Sequence, residues 1–156
     1  MAGWPADWAG LVSGARCPMC RSPRSDEDGY GVRIRATEHT DAVLQRAPVQ
    51  RGYTLVIWRG RHVVEPYELT PDEAAAYWHD VLAVARALAE HHRPLKMNYE
   101  TLGNSVPHLH THLVPRYVED PAPGRPFPLG PHDPSAVPLD ADQLRADAAA
   151  IRALLH

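Results

Sequence analysis

The chain is sparing in several things that would have narrowed its role at once. It has only two cysteines in 156 residues, both inside the four-residue unit CPMC (Cys17 and Cys20), so neither has a distant partner for a framework disulfide. No apolar run approaches the roughly 20 residues of a membrane span. The opening MAGWPADWAG lacks the basic and then apolar regions of a secretory leader. A cytoplasmic protein without a membrane partner is therefore expected. A formal net charge of −3 supplies no basic field, so no nucleic-acid partner is expected, and any anionic ligand has to be held by local groups. No solenoid-type repeat is visible. The length suits one domain with a real core.

The composition shifts along the chain. Residues 1–29 are rich in Gly, Pro, Ser and charge and read as an irregular arm carrying the cysteine pair. YGVRIRA (30–36) alternates apolar and polar residues as a half-buried strand does, and DAVLQR (41–46) is a second short strand. GYTLVIW (52–58) is apolar almost throughout, which places it at the centre of a sheet. The clearest helix is LTPDEAAAYWHDVLAVARALAEHH, with Thr70 as N-cap, Pro71 at its first position and Glu73 completing a capping box. Its expected buried stripe is Ala74, Tyr77, Trp78, Val81, Leu82, Ala85 and Leu88. PLKMNYE and HLHTHLVPR read as two further strands joined through Gly103 and Asn104. Residues 119–139 contain seven prolines and form a surface loop, because proline fits neither a ladder nor a helix interior. Residues 140–155 close the chain as an Asp-capped helix. The expected fold class is α+β, a mostly antiparallel sheet with one long helix and a C-terminal helix. The expected organisation is a single domain over 1–156: arm 1–29, core 30–117, Pro-rich loop 118–139, terminal helix 140–155.

Two patterns carry chemistry. CPMC is half of a metal site, a redox pair or a loop pair without function. A redox pair belongs between a strand and a helix of a βαβ unit, and the polar RSPRSDEDG that follows is not that setting. In NSVPHLHTHLVPRY, His108, His110 and His112 occupy alternate positions, so a strand puts all three on one face and sends Leu109, Thr111 and Leu113 to the core. A neutral imidazole is both a metal ligand and a nucleophile near pH 7, and neighbouring imidazoles discourage one another's protonation. Ser105 and Asn104 lie just before the row, where they could donate to an anion. Arg59, Arg61 and Arg116 are either ordinary solvated arginines at strand ends or polyphosphate contacts.

HLHTHLVPR resembles the signature of the histidine-triad (HIT) family, with Thr111 in one of its apolar slots. The likeness runs from Cys17 to Arg116, and the paired cysteines resemble those of the zinc-bearing bacterial members. This resemblance implies a HIT-like fold and a nucleotide hydrolase or transferase. His110 would attack the α-phosphorus of a dinucleoside polyphosphate or nucleoside phosphoramidate, giving a nucleotidyl-histidine that water cleaves. His112 would serve the phosphate and leaving group. Asn98, Asn104 and Ser105 would contact the phosphate. Cys17, Cys20, His62 and His108 would hold a structural zinc, and Cys₂His₂ is the closed ligand set of such sites. A homodimer is also implied. The chain departs from the family pattern at Gln45, where an aspartate usually holds the ribose, at Asn104 for glutamine, and at Tyr53 for a frequent histidine. Two rivals remain. One is a metallohydrolase in which the three triad histidines bind a catalytic zinc; the other is a nucleotide-binding sensor without turnover. His39, His79, His91, His92, His132 and His156 are expected in solvent or capping roles.

Overall fold

The structure is a computed structural model that describes residues 3–129 and 139–156. The part of the Pro-rich loop at 130–138, with His132, lies outside the described residues. Five strands form one antiparallel sheet: β1 (Gly31–Ala36), β2 (Thr40–Gln45), β3 (Thr54–Trp58), β4 (Lys96–Glu100) and β5 (His110–Arg116). Their order is β1-β2-β3-β5-β4, which puts the apolar β3 in the middle. Among the described residues four α-helices accompany them: α1 (Trp8–Val12), α2 (Pro18–Arg21), α3 (Pro71–His92) and α4 (Ala141–Leu154).

The arm at 1–29 therefore differs from its expectation as irregular chain. Pro18 inside CPMC sits at the first helical position, where its missing N–H costs nothing, and opens the one-turn helix α2. α3 begins as expected. Thr70 Oγ1 accepts from the Glu73 amide at 3.3 Å and Glu73 returns the bond to the Thr70 amide at 2.8 Å. Its buried stripe is Tyr77, Val81, Val84, Ala85 and Leu88, while Leu82 is 43% exposed. The i, i+4, i+7 rows from Tyr77 run through Val81 and Val84, and Leu82 falls one residue round the helix from them.

α3 and α4 cover one face of the sheet. The core between the layers includes Val32, Leu44, Val56, Trp58, Val81, Leu88, Leu113 and Ile151. α4 is capped by Asp140, which accepts from the Gln143 amide at 2.8 Å. His91 at the end of α3 meets Asp147 of α4 at 2.9 Å, and His92 is half-buried; neither is a plain solvent histidine. Behind β5, Thr111 Oγ1 lies 2.8 Å from the Tyr77 hydroxyl, which explains a hydroxyl in an otherwise apolar slot. The other face of the sheet is covered by neither α3 nor α4, and the short α2 borders it. Register places on it Asp41 and Val43 beside Ile57 and Leu55, then His110 and His112, then Glu100.

Candidate active site

The three histidines do not share one strand. β5 begins at His110; just before it, the Leu109 carbonyl still accepts from the Trp58 amide of β3 at 3.0 Å, but the Leu109 N–H turns to the Val63 carbonyl at 2.7 Å. His108 therefore turns away from the row and toward the N-terminal arm. Leu109, Thr111 and Leu113 are fully buried on the helix side, as alternation requires.

His108 Nδ1 lies 3.4 Å from both Cys17 Sγ and Cys20 Sγ, and His62 Nδ1 lies 3.2 Å from Cys20 Sγ. The four donor atoms fall within 4.8 Å of one another. Each imidazole is fixed through its other nitrogen: His108 Nε2–H donates to the Trp58 carbonyl at 2.8 Å and His62 Nε2–H to the Val12 carbonyl at 3.0 Å. A carbonyl can only accept, so both rings carry their proton on Nε2 and aim an Nδ1 lone pair at the thiols. Two soft thiols and two imidazole lone pairs converging on one point fit a tetrahedral zinc. Burial, and then Cys17, pushes the Cys20 thiol up to about 11; a coordinated cation reverses that balance by binding the thiolate. Gly14 makes the geometry possible. It has φ +79° and a Cβ placed there would sit 2.8 Å from the His62 ring.

His110 is held the other way round. Its Nδ1–H donates to the His108 carbonyl at 2.6 Å, which leaves the lone pair on Nε2. The ring is 6% exposed, and burial holds it below its ordinary basicity, partly offset by that hydrogen bond. His112 sits 4.8 Å away between ring centroids. Burial, and then His110, pushes His112 down to about 4. Both shifts favour the neutral imidazole, the form that can attack an electrophile. His112 Nδ1 contacts the Tyr53 hydroxyl at 2.6 Å.

The remaining expected residues divide. Gln45 is buried at the end of β2 and donates to the Val43 carbonyl at 3.1 Å. It lines a cavity of about 170 Å³ with Met19, Arg24, Tyr30, Leu55 and Ile57, next to the histidines on the same sheet face. Asn98 is half-buried on β4 with its carbonyl oxygen bonded by Arg116. Asn104 and Ser105 are exposed on the loop before His108 and make no side-chain hydrogen bond to the described residues. The three arginines expected on a polyphosphate or in solvent each have a carboxylate partner. Arg59 binds Asp41 at 2.7 Å, Arg61 binds Glu73 at 2.8 Å, and Arg116 is held by Asp120.

Two features escaped the sequence reading. Asp41, its side chain 1% exposed, gathers Arg24, Arg33 and Arg59, and Arg59 also donates to the Met19 carbonyl at 2.7 Å, tying CPMC to the sheet. An acid inside the apolar DAVLQ was the available signal, since a buried carboxylate requires partners. Tyr53, noted only as a substitution, packs with Val114 and with Phe127 of the Pro-rich loop, which thereby covers the end of this face.

A family model described as HIT domain matches residues 29–119. The chain is 37% identical over 106 residues to Protein hit of Bacillus subtilis, covering 65% of this chain and 71% of that protein. It is 27% identical over 122 residues to adenosine 5'-monophosphoramidase hnt1 of Schizosaccharomyces pombe, covering 78% and 90%. Against bis(5'-adenosyl)-triphosphatase of Saccharomyces cerevisiae it is 28% identical over 86 residues, 52% of this chain and 42% of the relative's length. A Zn-bound histidine triad family protein from Mycobacterium smegmatis superposes with a TM-score of 0.61 at 25% identity, covering 90% of this chain and 94% of that one.

Proposed function

From the premise that this chain belongs to the HIT family, we propose that it is a nucleotide hydrolase that cleaves at an α-phosphate through a covalent nucleotidyl-histidine on His110. The observation that carries this reading is the His110 tautomer: the His108 carbonyl takes the Nδ1 proton, so the Nε2 lone pair is free beside a second neutral imidazole. Attack by Nε2 forms an N–P bond while the bond to the leaving group breaks and its electron pair departs with that group. Water then displaces His110 from phosphorus and releases the nucleoside monophosphate. Splitting one displacement into two is the advantage of a nucleophilic side chain over direct attack by water.

The site residues take roles in proportion to their placement. His112 serves the phosphate and leaving group from the next outward position of β5. Asn98 presents its amide to the phosphate once Arg116 has fixed it, and Asn104 and Ser105 reach it from their exposed loop. Gln45 takes the ribose, and the cavity beside it has room for a nucleobase. The substrate classes are dinucleoside polyphosphates and nucleoside phosphoramidates, as the names of the yeast relatives suggest.

Cys17, Cys20, His62 and His108 hold a structural zinc, which supplies no chemistry beyond joining the arm to the loop before β5. A reducing, cytoplasmic setting suits two free thiols in ligand positions. No helix of the described residues is long and apolar enough to cross a membrane. The edge of β4 that pairs with no strand among the described residues, with Tyr99 44% exposed and the preceding Leu95 72% exposed, is the surface for a homodimer.

The metallohydrolase alternative requires three histidines around one ion, whereas His108 faces the cysteines and His110 has its Nδ1 proton on a carbonyl. The test is release of nucleoside monophosphate, followed chromatographically, from adenosine phosphoramidate and diadenosine triphosphate. Turnover of either class is expected. Tight binding of both without cleavage would replace the hydrolase with a sensor.

A further inference from the structure

The two outward histidines of β5 differ in what holds them, and Tyr53 is the reason. Its hydroxyl lies 2.6 Å from His112 Nδ1, and the two rings stack at 5.9 Å with an interplanar angle of 11°. Tyr53 is 6% exposed, and its hydroxyl has no other hydrogen-bond partner among the described residues. A buried phenol proton left without an acceptor loses its bond to water and gains nothing in return. The arrangement that avoids this cost has the Tyr53 O–H donating and His112 Nδ1 accepting.

We propose that Tyr53 is a positioning residue that locks His112 in the Nε2–H tautomer, opposite to that of His110. This rests on the hydrolase reading for its consequence, though not for its geometry. A neutral imidazole has one ring proton, so an Nδ1 that accepts leaves that proton on Nε2. Burial, and then the neighbouring His110, holds His112 at about 4, so a second ring proton is not carried at neutral pH. Burial, and then Glu100, pushes the Tyr53 phenol up to about 12, so it stays a donor. His110 and His112 then present complementary groups at adjoining points of one face: a lone pair to attack phosphorus, and an N–H to stabilise charge that develops on the phosphoryl and leaving-group oxygens. The N–H acts as a fixed hydrogen-bond donor, and no proton has to pass through Tyr53.

A neutral phenol can donate or accept, but His112 Nδ1 is the acceptor within reach of this buried O–H, and that decides which of the two it does here.

The experiment is Tyr53→Phe, which keeps the stacked ring and removes only the hydroxyl. Nitrogen-15 spectra of the zinc-loaded protein at pH 7.5, assigned with His112→Gln, report the tautomers directly. The expected wild-type result is Nε2–H at His112 and Nδ1–H at His110, with Tyr53→Phe shifting His112 alone toward a mixture. With adenosine phosphoramidate, kcat is expected to fall roughly 10- to 100-fold, less than for outright loss of a fixed donor because the tautomer becomes mixed, while KM changes less than about threefold. Nδ1–H at His112 in the wild type would overturn the assignment. So would a Tyr53→Phe variant with unchanged tautomer, or with KM rising as kcat holds. Wild type that shows the stated tautomers but no turnover of any nucleotide conjugate would sink the hydrolase reading and support the Tyr53 assignment.

Discussion

His108 and His110 are two residues apart and have the same side chain, yet the molecule uses them in opposite senses. His108 is tied through Nε2 to the Trp58 carbonyl and offers Nδ1 to two thiols. His110 is tied through Nδ1 to the carbonyl of His108 itself and offers Nε2 to the open sheet face. The difference comes from the backbone. β5 starts at His110, and one step earlier the pairing with β3 is only half kept: the Leu109 carbonyl accepts from the Trp58 amide, while the Leu109 N–H goes to Val63 and the Trp58 carbonyl is left to the His108 ring. A carbonyl in the right place decides which nitrogen is available, and that decides whether an imidazole becomes a ligand or a nucleophile. The same carbonyl chain also links the regions, since the residue that aims at the metal supplies the oxygen that orients the nucleophile.

The comparison can be broken most forcefully from the cysteine side. Replacing both Cys17 and Cys20 with serine removes the soft donors. Calorimetric melting with and without a thousandfold excess of zinc over its dissociation constant should show about 4 kcal/mol of zinc-linked stability in wild type and almost none in the variant. Bound zinc by elemental analysis should fall from one ion per chain to none. Equal zinc content in the two proteins would contradict the ligand assignment.

A somewhat smaller effect is expected from Asp41→Asn, which strands Arg24 and Arg59 beside the cavity and loosens the tie to CPMC. The loss should be about 3 kcal/mol near neutrality by urea unfolding, as for a broken buried pair. Burial acts to raise the Asp41 carboxyl, but the hydrogen bonds and charges of Arg24 and Arg59 outweigh it and hold it below the ordinary 3.8. A depressed folded value means that its contribution is complete above about pH 4 and fades as pH falls below that. The wild type should therefore lose stability below pH 4 more steeply than Asp41→Asn, and parallel profiles would refute the pairing.

Gly14→Ala separates the two histidines more finely. The new Cβ meets the His62 ring and sits at a positive φ, with an expected cost of about 1–2 kcal/mol. Zinc affinity, read by competition with a chromogenic chelator, should weaken while adduct formation at His110 is retained. The mildest change, Tyr77→Phe, removes the hydroxyl that backs Thr111 behind β5 and should cost about 1 kcal/mol of thermal stability, with zinc content untouched.

Much of this layout could be read before the fold was known, and for identifiable reasons. The capping box at Thr70, the apolar β3 and the alternation of Leu109, Thr111 and Leu113 are local or periodic signals, and strand and helix geometry converts them directly into faces. The Cys17, Cys20, His62 and His108 group was reached only through resemblance, because its members are separated by up to 91 residues, and the structure does bring them together. What sequence could not supply was the change of partner at Leu109 that takes His108 off the strand, since a pattern of period two continues past the point where the ladder is only half kept. Nor could it supply the pairings of Arg59, Arg61 and Arg116. A charged side chain near a strand end looks the same whether it awaits a phosphate or has found Asp41, Glu73 or Asp120 in the fold.

The account rests most heavily on His110 Nε2 as the attacking atom. Its direct test is intact-mass measurement after rapid acid-free quenching of wild type and His110→Ala mixed with adenosine phosphoramidate. The account predicts a mass increase of one adenylyl group on the wild type, mapped to His110 by peptide analysis, and none on the variant. Turnover by wild type with no adduct at any quench time, or an adduct that persists in His110→Ala, would contradict it.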